Sequence, residues 1–270
     1  CGWPKDVFQV VTGAGATGQA LADAADFVMF TGSTKTGRAV AARAGERLVP
    51  CSLELGGKDA LIVLADASLE RAVNVTLHGA LCNGGQMCTS VERVYVEEPV
   101  YDAFVARLRQ RFEEVTSGRP AGLGSTDVGA MTFPPQMAIV EDHVKDAVSR
   151  GARVLVGGHA APGPGRFFEP TLLVDVDHTM KCMREETFGP TLPVLKVARA
   201  EAAVLLVSIS TYALQASVIS SNMKGARHRA ERLEAGSVSI NEAQTNHMAL
   251  GVPMRGWVAR GSVVGSGPVG

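Results

Sequence analysis

Short runs of consecutive apolar residues alternate along this chain with stretches whose apolar positions recur every three to four residues. The runs Val7-Phe8-Gln9-Val10-Val11, Phe27-Val28-Met29-Phe30, Ala60-Leu61-Ile62-Val63-Leu64 and Val94-Tyr95-Val96 predict buried strands, as do Arg153 to Val156 and Leu192-Pro193-Val194-Leu195. Helical spacing is kept by Leu69, Val73, Leu77, Ala80 and Leu81, and again by Tyr101, Phe104, Val105, Leu108, Phe112 and Val115. A third stripe runs through Val140, Val144, Ala147 and Val148. Asp66-Ala67-Ser68 can cap the first of these helices, while Ser117-Gly118 and Gly151 close the other two. Turn-rich segments at 119–127 and 157–166, the latter with Pro162 and Pro164, are expected on the surface. Strands alternating with helices in this way predict an α/β fold with a parallel sheet covered on both faces.

Composition narrows the class. At 270 residues the chain can form one large domain or two ordinary ones. A net charge of -1 gives no reason to expect nucleic acid or an anionic membrane as partner. No apolar run approaches the roughly 20 residues of a membrane span. Cys1, Cys51, Cys82, Cys88 and Cys182 are odd in number and lack CxxC spacing, which speaks against a disulfide framework or zinc site. That usage suits a reducing compartment, and with no signal peptide visible a cytoplasmic protein is expected.

Candidate chemistry is concentrated in a few short stretches. In Asn83-Gly84-Gly85-Gln86-Met87-Cys88 a helical pattern runs in, a strand pattern leaves, and the cysteine sits at the joint. The glycines allow backbone conformations that side chains forbid and leave a thiol within reach of a small electrophile. Cys82 lies on the apolar face one turn earlier and is expected in the core. Leu53-Glu54-Leu55-Gly56-Gly57-Lys58 sets a carboxylate beside another glycine pair. Gly13-Ala14-Gly15-Ala16-Thr17-Gly18 spells a dinucleotide fingerprint after a predicted strand, but no acidic residue ends the next strand to hold a ribose. Phe30-Thr31-Gly32-Ser33 ends a predicted strand and opens a helix, so free N–H groups there can face a phosphate. Gly37-Arg38-Ala39 lacks the Lys-Ser/Thr ending of an ATP-binding loop. The six histidines form no ligand constellation, and His143 and His228 read as solvated helix residues.

Together the Asn-Gly-Gly-Gln-Met-Cys and Leu-Glu-Leu-Gly-Gly-Lys stretches resemble the nucleophile and general-base motifs of the aldehyde dehydrogenase superfamily. Glu185-Glu186-Thr187-Phe188-Gly189-Pro190 resembles a third family segment, and Phe30-Thr31-Gly32-Ser33 a fourth. The resemblance implies Cys88 as nucleophile and Glu54 as general base. It implies contacts to NAD or NADP from Gly32, Ser33, Leu55, Glu186 (to the nicotinamide ribose) and Phe188 (beside the ring). The first glycine loop then borders the adenine side. The implied reaction is oxidation of a small aldehyde, a semialdehyde among the candidates, through a thiohemiacetal and a thioester.

The resemblance covers almost the whole chain but matches the later part of a family member, so an N-terminal portion is expected to be missing. The expected division is 1–56 as the remainder of the Rossmann-type cofactor domain, 57–255 as the catalytic domain, and 256–270 as a diverged tail. Gly236 to Asn241 fits the family, whereas Val207 to Leu214, Pro253 to Trp257 and the tail depart from it. The family implies a homo-oligomer, an expectation this tail does not support. Two other classes stay open on the residues alone. Cys88 and Glu54 could cleave activated esters without cofactor, or the chain could serve only as an interaction module.

Overall fold

Apolar residues at consecutive positions make strands that are buried on both faces, and such strands form the centre of this molecule. The structure, a computed structural model, describes residues 2–212 and 214–244. Its main sheet has seven strands: β3 (Asp59–Val63), β4 (Val91–Glu97), β5 (Arg153–Val156), β6 (Thr171–Val174), β7 (Thr191–Val197), β8 (Gln215–Ile219) and β9 (Ser237–Ile240). Their order is β5-β6-β7-β4-β3-β8-β9, parallel throughout except for β5, which pairs antiparallel with β6. Because side chains alternate along a strand, β3 feeds two cores. Ile62 packs with Tyr95, Val204 and Val218 on one face. On the other, Leu61 and Val63 pack with Val73, Phe104, Leu108 and Phe112. That second face is covered by α3 (Leu69–Leu81) and α4 (Glu98–Glu113), the first by α7 (Ala200–Ser208) and α8 (Met223–Ala230). Each fully buried side chain of this kind contributes about 1.5–3 kcal/mol.

Two strands stand apart from this sheet. β1 (Val28–Thr31) and β2 (Cys51–Glu54) pair in parallel, with Thr31 opposite Glu54. The helix α2 (Thr34–Glu46) crosses between them, capped by the Ser33 hydroxyl, which accepts from the Thr36 N–H. α1 (Gly15–Ala24) precedes them. The chain passes from this small sheet to the large one through residues 55–58, the glycine pair among them.

Several expectations need correction. The run Val7 to Val11 is no strand, and Phe8 and Val10 are 79% and 75% exposed. A strand needs a neighbour to take its ladder hydrogen bonds. Among the described residues β1 pairs with β2 alone, and no strand takes Val7 to Val11 as its partner. The glycine fingerprint therefore follows an irregular segment instead of a strand, though it does open α1. His143 is not solvated. It lies three residues after Val140 and four before Ala147 on α5 (Pro134–Ser149), which puts it on the buried stripe at 3% exposure. Cys82 is half-buried, not core. β2 and β8 carry no clear apolar run, yet Gln215 and Ser217 are buried within β8. Their strands form because the sheet supplies partners, not because their composition demands it. Tail residues 256–270, the Pro253 to Trp257 segment and His247 lie outside the described residues.

Candidate functional site

Cys88 is delivered by a broken helix. α3 ends in a tight 3₁₀ turn, Cys82–Gly85, in which Asn83, Gly84 and Gly85 have φ of 52°, 65° and 71°. Three successive left-handed residues suit asparagine and glycine and little else. A Cβ on Gly85 would also run into the Gly189 carbonyl, so the turn packs against the Glu185–Pro190 segment. Asn83 and Gln86 brace the turn. The Asn83 amide donates to the Gln86 carbonyl at 3.0 Å, and the Gln86 amide donates back to the Asn83 carbonyl at 3.1 Å. The Thr132 N–H donates to Gln86 Oε1 at 2.8 Å. The thiol beyond this turn is half-buried.

Glu54 ends β2, and Gly56-Gly57 follows. A Cβ on Gly57 would collide with the Cys88 carbonyl, and one on Gly56 with the Glu186 carboxylate. The Gly57 N–H donates to Glu186 Oε1 at 3.0 Å. At this glycine pair the structure brings together three stretches that are far apart in sequence. Leu55 is buried against Gly37 of α2, where a side chain would overlap it. The Gly32 N–H donates to the Glu54 carbonyl at 3.0 Å, so the strand-to-helix turn with Ser33 borders the same place. Phe188 has φ of 49°, a strained value for a bulky residue.

Electrostatics are set by burial and by crowded carboxylates. The Cys88 thiol is pushed up to about 11, first by burial and then by Asp59, Glu54 and Glu186. Burial raises Glu54 above the usual carboxylate range. Glu186 is pushed up to about 7 by burial and then by Glu92, opposed by the Gly57 N–H and Lys58. The thiolate fraction of Cys88 therefore grows with pH throughout the neutral range. Its alkylation by iodoacetamide, mapped by mass spectrometry, should rise about tenfold per pH unit from pH 7 to about 9.5. A curve that bends over near about pH 8.5, where an ordinary thiol is half ionised, would contradict this environment.

Sequence reasoning missed the support beneath these groups. Lys58 and Glu92 form a buried ion pair, and Thr187, His143 and Gln136 complete the network around it. The signal was there: Glu92 and Arg93 are charges inside the otherwise apolar run of β4. Such charges stay buried only with partners. Arg93 finds the Lys58 carbonyl at 2.8 Å and the Tyr95 hydroxyl at 3.2 Å.

A separate cleft of about 610 Å³ lies between α1, α2 and the edge of β1, lined by Gly15, Gln19, Phe27, Met29, Thr36 and Val40 among others. It shares no lining residue with Cys88, Glu54 or Glu186. Among the described residues no group of three or more His, Cys, Asp or Glu side chains could hold a metal. None of the described helices is long and apolar enough to cross a membrane.

A parallel α/β sheet with a cysteine and two carboxylates gathered at a glycine pair defines a class, and comparison gives the class its family. The chain belongs to the aldehyde dehydrogenase family, whose sequence profile matches residues 1–267. It is 42% identical over 259 residues to 4,4'-diapolycopene aldehyde oxidase of Methylomonas sp, covering 94% of this chain and 47% of that protein. A Mycolicibacterium smegmatis protein bearing the name of an NADP(+) succinate-semialdehyde dehydrogenase is 39% identical, covering 96% of this chain and 51% of its own length. The crystal structure of an NAD-dependent aldehyde dehydrogenase from Sinorhizobium meliloti superposes with a TM-score of 0.93 at 34% identity, covering 98% of this chain and 54% of that one. The chain thus spans about half the length of the relatives it matches.

Proposed function

We propose that this chain oxidises an aldehyde to a carboxylic acid with NAD or NADP, with Cys88 as nucleophile and Glu54 as general base. The observation that carries the reading is the meeting of the Cys88 backbone, the Glu186 carboxylate and the segment following Glu54 at Gly56-Gly57. In this reading residues 1–56 form the cofactor side and 57–255 the catalytic side. The residues fit a dinucleotide. The Thr34 and Lys35 N–H groups at the start of α2 lack acceptors within the helix and can face a phosphate beside Gly32 and Ser33, whose hydroxyl takes the Thr36 N–H. The absence of a side chain at Gly56 lets the Glu186 carboxylate pack directly on the glycine pair, and a carboxylate there suits a ribose hydroxyl. Leu55 and Phe188 supply apolar flanks.

Chemically, the Cys88 thiol first loses its proton to solvent, the thiolate then forms a bond to the aldehyde carbon, and the Cys88 backbone N–H can donate to the carbonyl oxygen as it gains charge. The bound nicotinamide supplies the hydride acceptor. Loss of hydride leaves a thioester on Cys88, which Glu54 clears by taking a proton from the attacking water. The raised position of Glu54 brings its carboxylate nearer to the working pH of a base. The Cys88 thiol, held up by three carboxylates, responds in the opposite direction to a cationic ring placed beside it.

The names of related proteins make semialdehydes the first substrates to try. Free Cys51, Cys82, Cys88 and Cys182 accord with a reducing compartment such as the cytoplasm. The test is formation of reduced nicotinamide with NAD or NADP and a panel of semialdehydes and plain aldehydes. Aldehyde-dependent reduction supports the proposal. Cleavage of activated esters without cofactor, and no reduction with any aldehyde, would replace it with a hydrolase.

A further inference from the structure

Each of the stretches that meet at Gly56-Gly57 also contributes to one buried ion pair or its immediate ligands. Lys58 lies four residues after Glu54, and Glu92 four residues after Cys88. Their side chains meet at 2.6 Å, Lys58 being 1% exposed and Glu92 3%. The same Glu92 Oε2 accepts the Thr187 N–H at 2.7 Å, while Oε1 accepts the Phe188 N–H at 2.8 Å. Lys58 Nζ also donates to the Thr187 hydroxyl at 3.0 Å, and His143 Nδ1 lies 3.0 Å from that oxygen. The Gln136 amide donates to the Thr187 carbonyl at 2.6 Å.

Two consecutive backbone N–H groups, those of Thr187 and Phe188, thus converge on one carboxylate. Phe188 itself stands in the left-handed region, at φ of 49°. A bulky side chain stays in that region only where its surroundings over-determine it. The Phe188 N–H is tied to the Glu92 carboxylate, which Lys58 holds in place. On the other side of Thr187, Glu186 turns toward the Gly57 N–H. The distance between the cofactor-side carboxylate and the cysteine backbone therefore depends on a residue that touches neither.

We infer that Glu92 is a positioning residue: its carboxylate, paired with Lys58, sets where Glu186 and Phe188 stand relative to Gly57 and Cys88. This assignment rests on the proposed cofactor role of Glu186 and Phe188. Replacing the carboxylate by an amide keeps the shape but turns a double acceptor into a group with one acceptor and one donor, facing N–H groups. It also leaves Lys58 buried without its counter-charge.

The test is Glu92→Gln, read by amide hydrogen exchange and by affinity for NAD and NADP. The Thr187 and Phe188 amides should exchange at least about tenfold faster, and cofactor should bind about tenfold more weakly. Amides at Ile62 and Val218, in the middle of the sheet, should keep their wild-type rates. Glu92 acts partly through Glu186 and partly through Phe188, so adding Glu92→Gln to Glu186→Ala should weaken binding by clearly less than the roughly tenfold it costs alone. Unchanged exchange at Thr187 and Phe188 would overturn the assignment, as would fully additive losses. If Glu92→Gln does not fold, Lys58→Met with Glu92→Gln removes both charges and strands neither, with the same expectations. A wild-type chain that binds neither cofactor would remove the proposed function. The exchange measurement then decides by itself, since lost protection at 187 and 188 supports the positioning role and retained protection refutes it.

Discussion

Replacing Cys88 by Ser is expected to lower aldehyde-dependent NAD(P) reduction on the order of 10⁴-fold or more, the scale on which loss of a nucleophile acts. A hydroxyl is isosteric with the thiol but holds its proton far more tightly and is a weaker nucleophile. The site already makes deprotonation hard, since burial and three carboxylates hold even the thiol at about 11. A serine in the same surroundings has no route to its anion. Loss at Cys88 should leave the fold intact, because the residue is half-buried and its neighbours Asn83, Gln86 and Gly85 hold the turn. Steady-state assay of the variant beside circular dichroism checks both points. Retained turnover would move the nucleophile to another residue.

Glu54→Gln should produce a different kind of defect. Addition to the aldehyde and hydride loss do not require the carboxylate, whereas attack of water on the thioester does. Rapid mixing with saturating aldehyde and cofactor should then show one burst of reduced nicotinamide, roughly one per site. Steady turnover after it should be slowed by about 10²–10⁴-fold. Removing the Glu54 charge also removes one of the carboxylates that hold the Cys88 thiol up. The burst should consequently be no slower than the first turnover of the wild type. Normal steady turnover, or a missing burst in a variant that binds cofactor, would take Glu54 out of the hydrolytic step.

Most of the element order is legible in the residue pattern, and for a local reason. Apolar spacing along 69–81 and 101–115 and the unbroken run 60–64 are properties of neighbouring residues, and they yielded α3, α4 and β3 with the sheet covered on both faces. The cap at Ser68 and the break at Asn83 to Gly85 were legible in the same way, since both depend on what one residue's backbone allows. The short stretches around Glu54, Cys88 and Glu186 were visible as motifs too. Their meeting was not, because the Gly57 N–H reaches a carboxylate 129 residues away, and no local pattern encodes that distance.

The remainder follows from which distant segments the folded chain packs together. The tertiary structure left Val7 to Val11 exposed, since no described strand lies beside β1 to pair with them. It buried His143, because a helix face is polar or apolar according to what packs against it, and here that is the Lys58, Glu92 and Thr187 cluster. It made strands of Gln215 to Ile219 through parallel partners on either side. The sequence names the groups able to do chemistry, while their distances, burial and mutual charge depend on which distant backbones can approach. That approach is permitted here at Gly56 and Gly57 by the absence of a Cβ.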